Sequence, residues 1–329
     1  MIISQTPLRI SFLGGGTDYP PYFKRHGGAT LSTTIDKYVY VTVNTLTRFF
    51  EHKLGVHYGN VEKVIDIDDL EHPAVRECLK YLGMDQGLEI HIMSDLPART
   101  GLGSSSSFTV GLLNALYTMK QDPRDAVTLA MKSIHVEQEL IGERVGNQDQ
   151  CAAAFGGFNK TVFNKDGTCE VQVVQMTEQR KAKLNSRLLM FYTGIQRYAD
   201  DVLDEQIKRT QEKEMDDVLQ EMMTLVDKGL GILEDENRNL DEFGSLLHQG
   251  WVLKKQCSSK ITNLLIDEYY DKACQAGALG GKLLGAGGGG FLLMYVPEGK
   301  EESVKQACQD LQMVSFNFES RGSNIIYED

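Results

Sequence analysis

The sequence predicts an α+β protein built in two halves. The first half alternates β-rich runs with helix-periodic runs, and the second sets several helices ahead of a strand pair. The chain has 329 residues, more than one hydrophobic core comfortably organises, so two domains are expected, 1–180 and 181–329, meeting near residues 175–185. No flexible linker and no internal repeat interrupts it.

In order along the chain, residues 2–12 are β-rich and run into Gly14-Gly15-Gly16. Residues 38–43 are β-branched and aromatic, as strands prefer. Residues 88–93 alternate apolar and polar, which predicts a strand with one buried face. A helix follows over about 105–119, with Val110, Leu113, Leu116 and Tyr117 at helical spacing. Asp122-Pro123-Arg124-Asp125 reads as the opening of a second helix, capped by Asp122 and ending near Gly142. Asn147 can cap a short third helix through Ala154. Residues 158–163 and 170–175 pair around the turn at 164–167. The second half reads as a strand at 188–193, helices near 198–230, 239–249 and 260–276, and a strand pair at 281–284 and 291–296. A helix near 299–311 and strands near 314–318 and 324–327 close it.

Composition excludes several classes. With 41% hydrophobic and 24% charged residues the chain is globular rather than disordered. No run reaches the ~20 apolar residues of a membrane helix, and the start lacks a signal peptide's basic and apolar regions, so a cytoplasmic protein is expected. The balance of 34 basic against 46 acidic residues, net −12, argues against nucleic acid and membrane surfaces as partners. It leaves an anionic small molecule open, because local donors can outweigh the global field. Much of the acid lies between 205 and 242 and reads as solvated helix faces. Six cysteines without a C-x-x-C pair read as free thiols, with neither a zinc site nor a disulfide framework.

Three glycine-rich points carry the chemistry. In the segment from Pro97 to Ser107, Gly101 and Gly103 can take positive φ and bring backbone N–H groups to a ligand. The segment feeds a helix N-terminus, which favours a polyanion. Leu102 lies between the glycines, and Ser104, Ser105 and Ser106 offer hydroxyls to phosphate or magnesium. A merely capped helix explains four successive serines poorly. The segment is no Walker loop, since the G-K-[ST] lysine is missing, and Gly14-Gly15-Gly16-Thr17-Asp18 is no Rossmann fingerprint. Arg9 and Asp18 flank that first cluster; Arg9 is an edge-strand arginine or a counter-charge for phosphoryl transfer. Asp149, after Gly146, complements a helix dipole or orients an acceptor hydroxyl. Glu137 alone reads as an ordinary helix acid, and His135 as structural. Five glycines within 285–290, Gly287 and Gly288 among them, suggest backbone packed against a ligand or the other domain.

In these three motifs, residues 7–18, 97–107 and 282–291, the sequence resembles the GHMP kinase superfamily, and the resemblance spans nearly the whole chain. It implies an N-terminal α/β domain of ribosomal-protein-S5-like type and a C-terminal ferredoxin-like domain, with ATP between them. Pro97, Gly101, Leu102, Gly103, Ser104, Ser105 and Ser106 would then hold ATP. Gly15, Gly16, Thr17, Asp18, Gly287 and Gly288 would contact substrate. Glu137 and one of Ser104 and Ser105, with Ser105 preferred, would bind Mg2+. Asp149 would contact the reacting hydroxyl, with Arg9 paired to it. The glycine-rich first motif, residues 31–39 and residues 146–157 resemble the branch acting on heptose 7-phosphate. Galactokinases usually carry Glu-His where Gly15-Gly16 stand, which argues against galactose. The implied reaction is phosphorylation of the anomeric C1 hydroxyl of D-glycero-D-manno-heptose 7-phosphate by a monomer or homodimer. Another sugar, fucose or a mannose-type sugar phosphate, and a non-catalytic sugar- or nucleotide-binding regulator are the alternatives. For a distal phosphate, Lys24, Arg25, Arg197, Lys254 and Lys255 are the cationic candidates.

Overall fold

Strand-forming residues extend well past 38–43, and the strand they build organises the N-terminal half. The computed structural model describes the backbone of residues 1–195 and 200–329 and the side chains of 1–195 and 204–329. β1 (Ile2–Leu13), α1 (Pro20–His26) and the 18-residue β2 (Gly28–Thr45) are followed by β3 (Leu54–His57), β4 (Val61–Val64), α2 (Pro73–Leu82) and β5 (Leu88–Ser94). Then come α3 (Ser104–Met119), α4 (Ala126–His135), a π-turn at Val136–Ile141, α5 (Gln148–Phe155), β6 (Phe158–Phe163) and β7 (Cys169–Val173). The remainder is α6 (Glu178–Ser186), β8 (Leu188–Tyr192), α7 (Asp200–Gln211), α8 (Asp216–Glu234), α9 (Asp241–Cys257), α10 (Leu264–Gln275), β9 (Gly280–Leu283), β10 (Phe291–Tyr295), α11 (Glu301–Ala307), β11 (Gln312–Val314), β12 (Phe318–Glu319) and β13 (Asn324–Glu328).

Among the described residues there are two sheets. The first has nine strands, with the path β13-β1-β2-β5-β3-β4 and with β6, β7 and β12 joined through β2. The second has four, in the order β11-β8-β10-β9. Both match the expected α+β class. After β11 the chain returns to the first sheet, so β12 and β13 pair with β2 and β1.

α3 is buried along its length from Ser106 to Thr118. It settles directly on β1, because Gly111 has no side chain: a Cβ there would stand 2.6 Å from the Thr6 hydroxyl. The Ser4 hydroxyl donates to the Gly111 carbonyl at 2.8 Å, locking the approach. The N-terminus of α3 is thereby held at one fixed place beside β1.

Two helix readings are corrected. The second helix is capped by Asp125, whose carboxylate accepts from the Thr128 N–H at 2.8 Å; Asp122 is taken up by Arg124 instead. The run near 198–230 is two helices, broken where Lys213 adopts φ +63°, a conformation no helix interior accommodates.

Candidate active site

The site grows from the N-terminus of α3. Gly101 and Gly103 have φ of +85° and +73°, turning the chain so that it enters α3 abruptly. Gly103 occupies the cap position and supplies no side-chain cap, so the first N–H groups of α3 are left for a ligand. Two contacts fix the loop. On one side Arg9 receives Leu102: its backbone N–H donates to the Leu102 carbonyl at 3.0 Å, and its Nη1 donates to the Gly101 carbonyl at 2.5 Å. On the other side lies the third glycine cluster. A Cβ on Gly101 would stand 2.2 Å from the Leu284 carbonyl, and one on Gly290 2.2 Å from that of Thr100. The glycines at 285–290 therefore let the second half lay its backbone against the phosphate loop.

Asp149 lies in the first turn of α5 and meets Arg9 in a two-pronged pair, Nε to Oδ1 at 2.7 Å and Nη2 to Oδ2 at 2.9 Å. Arg9 is almost fully buried, whereas the Asp149 side chain keeps 25% of its surface open. The carboxylate is thus oriented from behind and accessible in front. Gly103 stands close by: a Cβ there would be 3.3 Å from Asp149 Oδ2. The Arg9-paired carboxylate and the uncapped N-terminus of α3 share one small volume.

Asp18 is buried in the neighbouring turn and accepts from the Gly16 N–H at 2.8 Å. Burial first, and the Asp149 charge second among the raising influences, lift its pKa above the ordinary carboxylate value. Gly146 is required beside it, since a Cβ would collide with Asp18 Oδ2. Thr17 holds the turn by donating to the Gly14 and Ala29 carbonyls, both at 2.9 Å.

Glu137 sits in the π-turn after α4, a local widening often found at functional sites. It is buried, not a solvated helix acid. Its Oε2 accepts from the Ser106 hydroxyl at 2.9 Å and from the Gln150 amide, while Oε1 is buried with no hydrogen-bond partner. Burial raises its pKa to about 7 against the opposing hydrogen bonds of Gln150 and Ser106. Ser105 is exposed, Ser104 is partly so, and Ser106 is the serine in contact with Glu137. A hard oxygen atom left unpaired beside a serine cluster fits a magnesium ion.

Lys282, Gln206 and Gln148, which had no assigned role in the sequence, complete the site together with Lys254, one of the cationic candidates. Lys282 on β9 is buried and donates to the Phe12 carbonyl at 3.1 Å. Burial first, then Lys254 and Arg9, push its pKa down to about 7. Lys254 donates to Gln206 Oε1 at 3.0 Å, and the Gln206 amide nitrogen lies 2.8 Å from where a Gly16 Cβ would be. Gln148 Oε1 accepts from Ser11 at 2.8 Å beneath Gly15. Only burial distinguishes Lys282, Lys254 and Gln206 from surface residues, and residue type alone does not report it. Gly287 and Gly288 pack on Ile261, whose carbonyl accepts from the Gly288 N–H at 2.8 Å. Pro97 lies upstream in the loop, where its carbonyl accepts from the Thr100 hydroxyl at 2.8 Å. Of the other cationic candidates, Arg25 is committed to Asp216 and the Thr210 carbonyl, Lys255 lies over Trp251, Lys24 is exposed, and Arg197 falls outside the described residues.

Comparison with known proteins bears on this geometry. The family description "GHMP kinases N terminal domain" matches residues 70–157, and "GHMP kinases C terminal" matches residues 231–311. The chain is 28% identical to the D-glycero-alpha-D-manno-heptose 7-phosphate kinase of Campylobacter jejuni, covering 98% of this chain and 97% of that protein. It is 26% identical to the galactokinase of Pyrococcus furiosus, covering 97% and 96%. A solved D-glycero-D-manno-heptose 1-phosphate kinase from Bacteroides thetaiotaomicron superposes with a TM-score of 0.81 at 24% identity, over 100% of both chains. The galactokinase of Lactococcus lactis superposes with a TM-score of 0.72 at 19% identity, over 98% and 94%. With both family halves matched in order, and with a two-sheet fold shared over the full length, the chain belongs to the GHMP kinases, phosphotransferases with an alcohol group as acceptor.

Proposed function

We propose that this kinase transfers the γ-phosphoryl group of ATP to the anomeric C1 hydroxyl of D-glycero-D-manno-heptose 7-phosphate, giving the 1,7-bisphosphate. The observation that carries the reading is the Arg9–Asp149 pair beside the uncapped N-terminus of α3. In it, Pro97, Gly101, Leu102, Gly103, Ser104, Ser105 and Ser106 receive the triphosphate. Asp149, held from behind by Arg9, accepts the C1 hydroxyl proton as the O–Pγ bond forms and the bond to the leaving ADP oxygen breaks. An anomeric hydroxyl is more acidic than an ordinary alcohol, so positioning supplies most of the rate. Glu137, through its unpaired Oε1, and Ser105 would hold Mg2+, which supplies charge neutralisation across the β- and γ-phosphates when bound.

Gly15, Gly16, Thr17 and Asp18 would contact the sugar, as would Gly287 and Gly288, which pack on Ile261. The small Gly15-Gly16 pair and the heptose kinase relatives support the heptose reading. Lys254, bonded to Gln206 beside Gly16, is the cation we assign to the far phosphate.

Asp149→Asn tests the chemistry. It should lower kcat by roughly 10²–10⁴ while nucleotide affinity, measured by calorimetry, stays within about twofold; near-normal turnover sinks the assignment. The sugar is tested by ADP release with heptose 7-phosphate, fucose, mannose-type sugar phosphates and galactose. Preference for any but the first refutes the heptose reading, and silence on all of them favours a sugar-binding regulator.

A further inference from the structure

A second cluster of chemistry-bearing side chains lies outside the site just described, on β3 and β5 beside the edge strand β4 of the first sheet. β3 and β5 run parallel there, placing His57 opposite His91 and Gly55 opposite Glu89. Glu89 and His91 are two residues apart on one strand, so they share a face. Their alternate neighbours Val56 and Ile90 are buried in the core, which puts the cluster on the outer face of the sheet. The two imidazoles stack with centroids 4.3 Å apart. Glu89 Oε1 stands 3.1 Å from His57 Nε2 and 3.8 Å from His91 Nε2, and one ligand atom from each residue lies within 4.8 Å of the others.

Those separations are informative. A tetrahedral ion with bonds of about 2.0–2.2 Å holds its ligands about 3.3–3.6 Å apart, which the two histidine–carboxylate distances bracket. His57 Nε2 is buried and makes no hydrogen bond, although the carboxylate is near, so the pair is not aligned as a simple donor and acceptor. His52 adds a further imidazole. Its Nε2 is likewise buried without a partner, and it stands 3.5 Å from where a Gly55 Cβ would be, with Glu89 Oε1 at 3.7 Å from the same point. Gly55 therefore leaves the His52 and Glu89 side chains room to meet above the strand.

We infer that His57, Glu89 and His91, with His52 at the open side, form a binding site for a divalent transition metal, zinc foremost. Imidazole donors with a single carboxylate suit zinc far better than magnesium or calcium, which take oxygen ligands. Binding needs only a turn of the exposed His91 ring so that its Nε2 converges with that of His57. The site joins β3 to β5 and so clamps the strand that leads directly into the phosphate loop.

The test uses the full-length protein, stripped with chelator, reloaded with Zn2+ or Co2+ and freed of excess. Elemental analysis should find about one zinc per chain. The Co2+ form should show visible d–d absorption without a thiolate charge-transfer band. His91→Ala and Glu89→Gln should each weaken Zn2+ binding roughly tenfold or more while retaining the far-ultraviolet spectrum and Mg2+-supported kinase turnover. The proposal is overturned if wild type retains no metal, if either variant binds it as wild type does, or if a thiolate band assigns the metal to cysteine.

Discussion

Lys282 donates to the Phe12 carbonyl from within the core, and its pKa is pushed down to about 7 from an ordinary 10.5. The sign of the consequence is definite. Below pH 7 both folded and unfolded chains carry the proton, and the folded state bears the full cost of the buried charge. Between about 7 and 10.5 the unfolded chain holds more protons, so this residue's penalty shrinks as pH rises. Lys282→Met should therefore raise Tm most at pH 6, with the gain falling towards zero near pH 10. Thermal melts of both proteins across that range check it, and a gain independent of pH would refute the assignment. The same residue marks the limit of reading at this scale. Arg9, Asp18, Glu137 and Asp149 were picked out by motif, and the structure brings Arg9 and Asp149 into contact. Lys282 stood inside the third motif without a role, because its burial exists only in the folded chain, where its ammonium reaches the Phe12 carbonyl 270 positions away.

At the scale of elements, two glycines with the same backbone handedness separate conformation from contact. Gly83 ends α2 at φ +64° with nothing within 4 Å of a Cβ position. Gly101 sits in the phosphate loop at φ +85°, with the Leu284 carbonyl 2.2 Å from its Cβ position. Gly83→Ala should cost about 1 kcal/mol, the price of the left-handed conformation alone. Gly101→Ala adds a collision with backbone and should cost about 2–4 kcal/mol, with weaker ATP binding. Urea unfolding of the two variants decides this, and equal losses would mean the halves are not pressed together at the loop. Glycine clusters are legible in sequence because they are compositionally unusual. Most of the elements that went unread are short or unconventionally capped; α6, though capped by Thr177, buries only Arg180 and Leu184 and so shows no apolar stripe. β3 and β4 have four residues each, α1 has seven, and α2 is capped by His72 rather than by Ser, Thr, Asp or Asn. The π-turn at Glu137 is a register change within a continuous helical pattern, and periodicity cannot show it.

For the whole molecule, the return of the C-terminal tail ties α5, which carries Asp149, to the first sheet. The Ser323 N–H donates to the Ala153 carbonyl of α5 at 2.8 Å, and its hydroxyl bonds Thr6 of β1 at 2.8 Å while accepting from Asn114 of α3 at 3.1 Å. One tail residue thus touches the strand that carries Arg9, the helix that carries Asp149 and the helix proposed to receive phosphate. Gly322 makes the approach possible, because a Cβ there would stand 2.1 Å from the Ala154 carbonyl. Gly322→Val must therefore displace the tail or the eight-residue α5, and a shift of α5 moves Asp149 relative to the loop. Misplacement by about 1 Å can cost roughly 10²-fold in rate, so kcat should fall tenfold or more. The Gly101–Ser107 loop is also braced by contacts that bypass α5, the Arg9 backbone N–H to the Leu102 carbonyl and the Leu284 carbonyl against Gly101, so ATP affinity should change by less than about threefold. Steady-state kinetics paired with nucleotide calorimetry separates the two effects. Unchanged kcat, or a loss of ATP binding in step with kcat, would show that the tail does not position the catalytic helix.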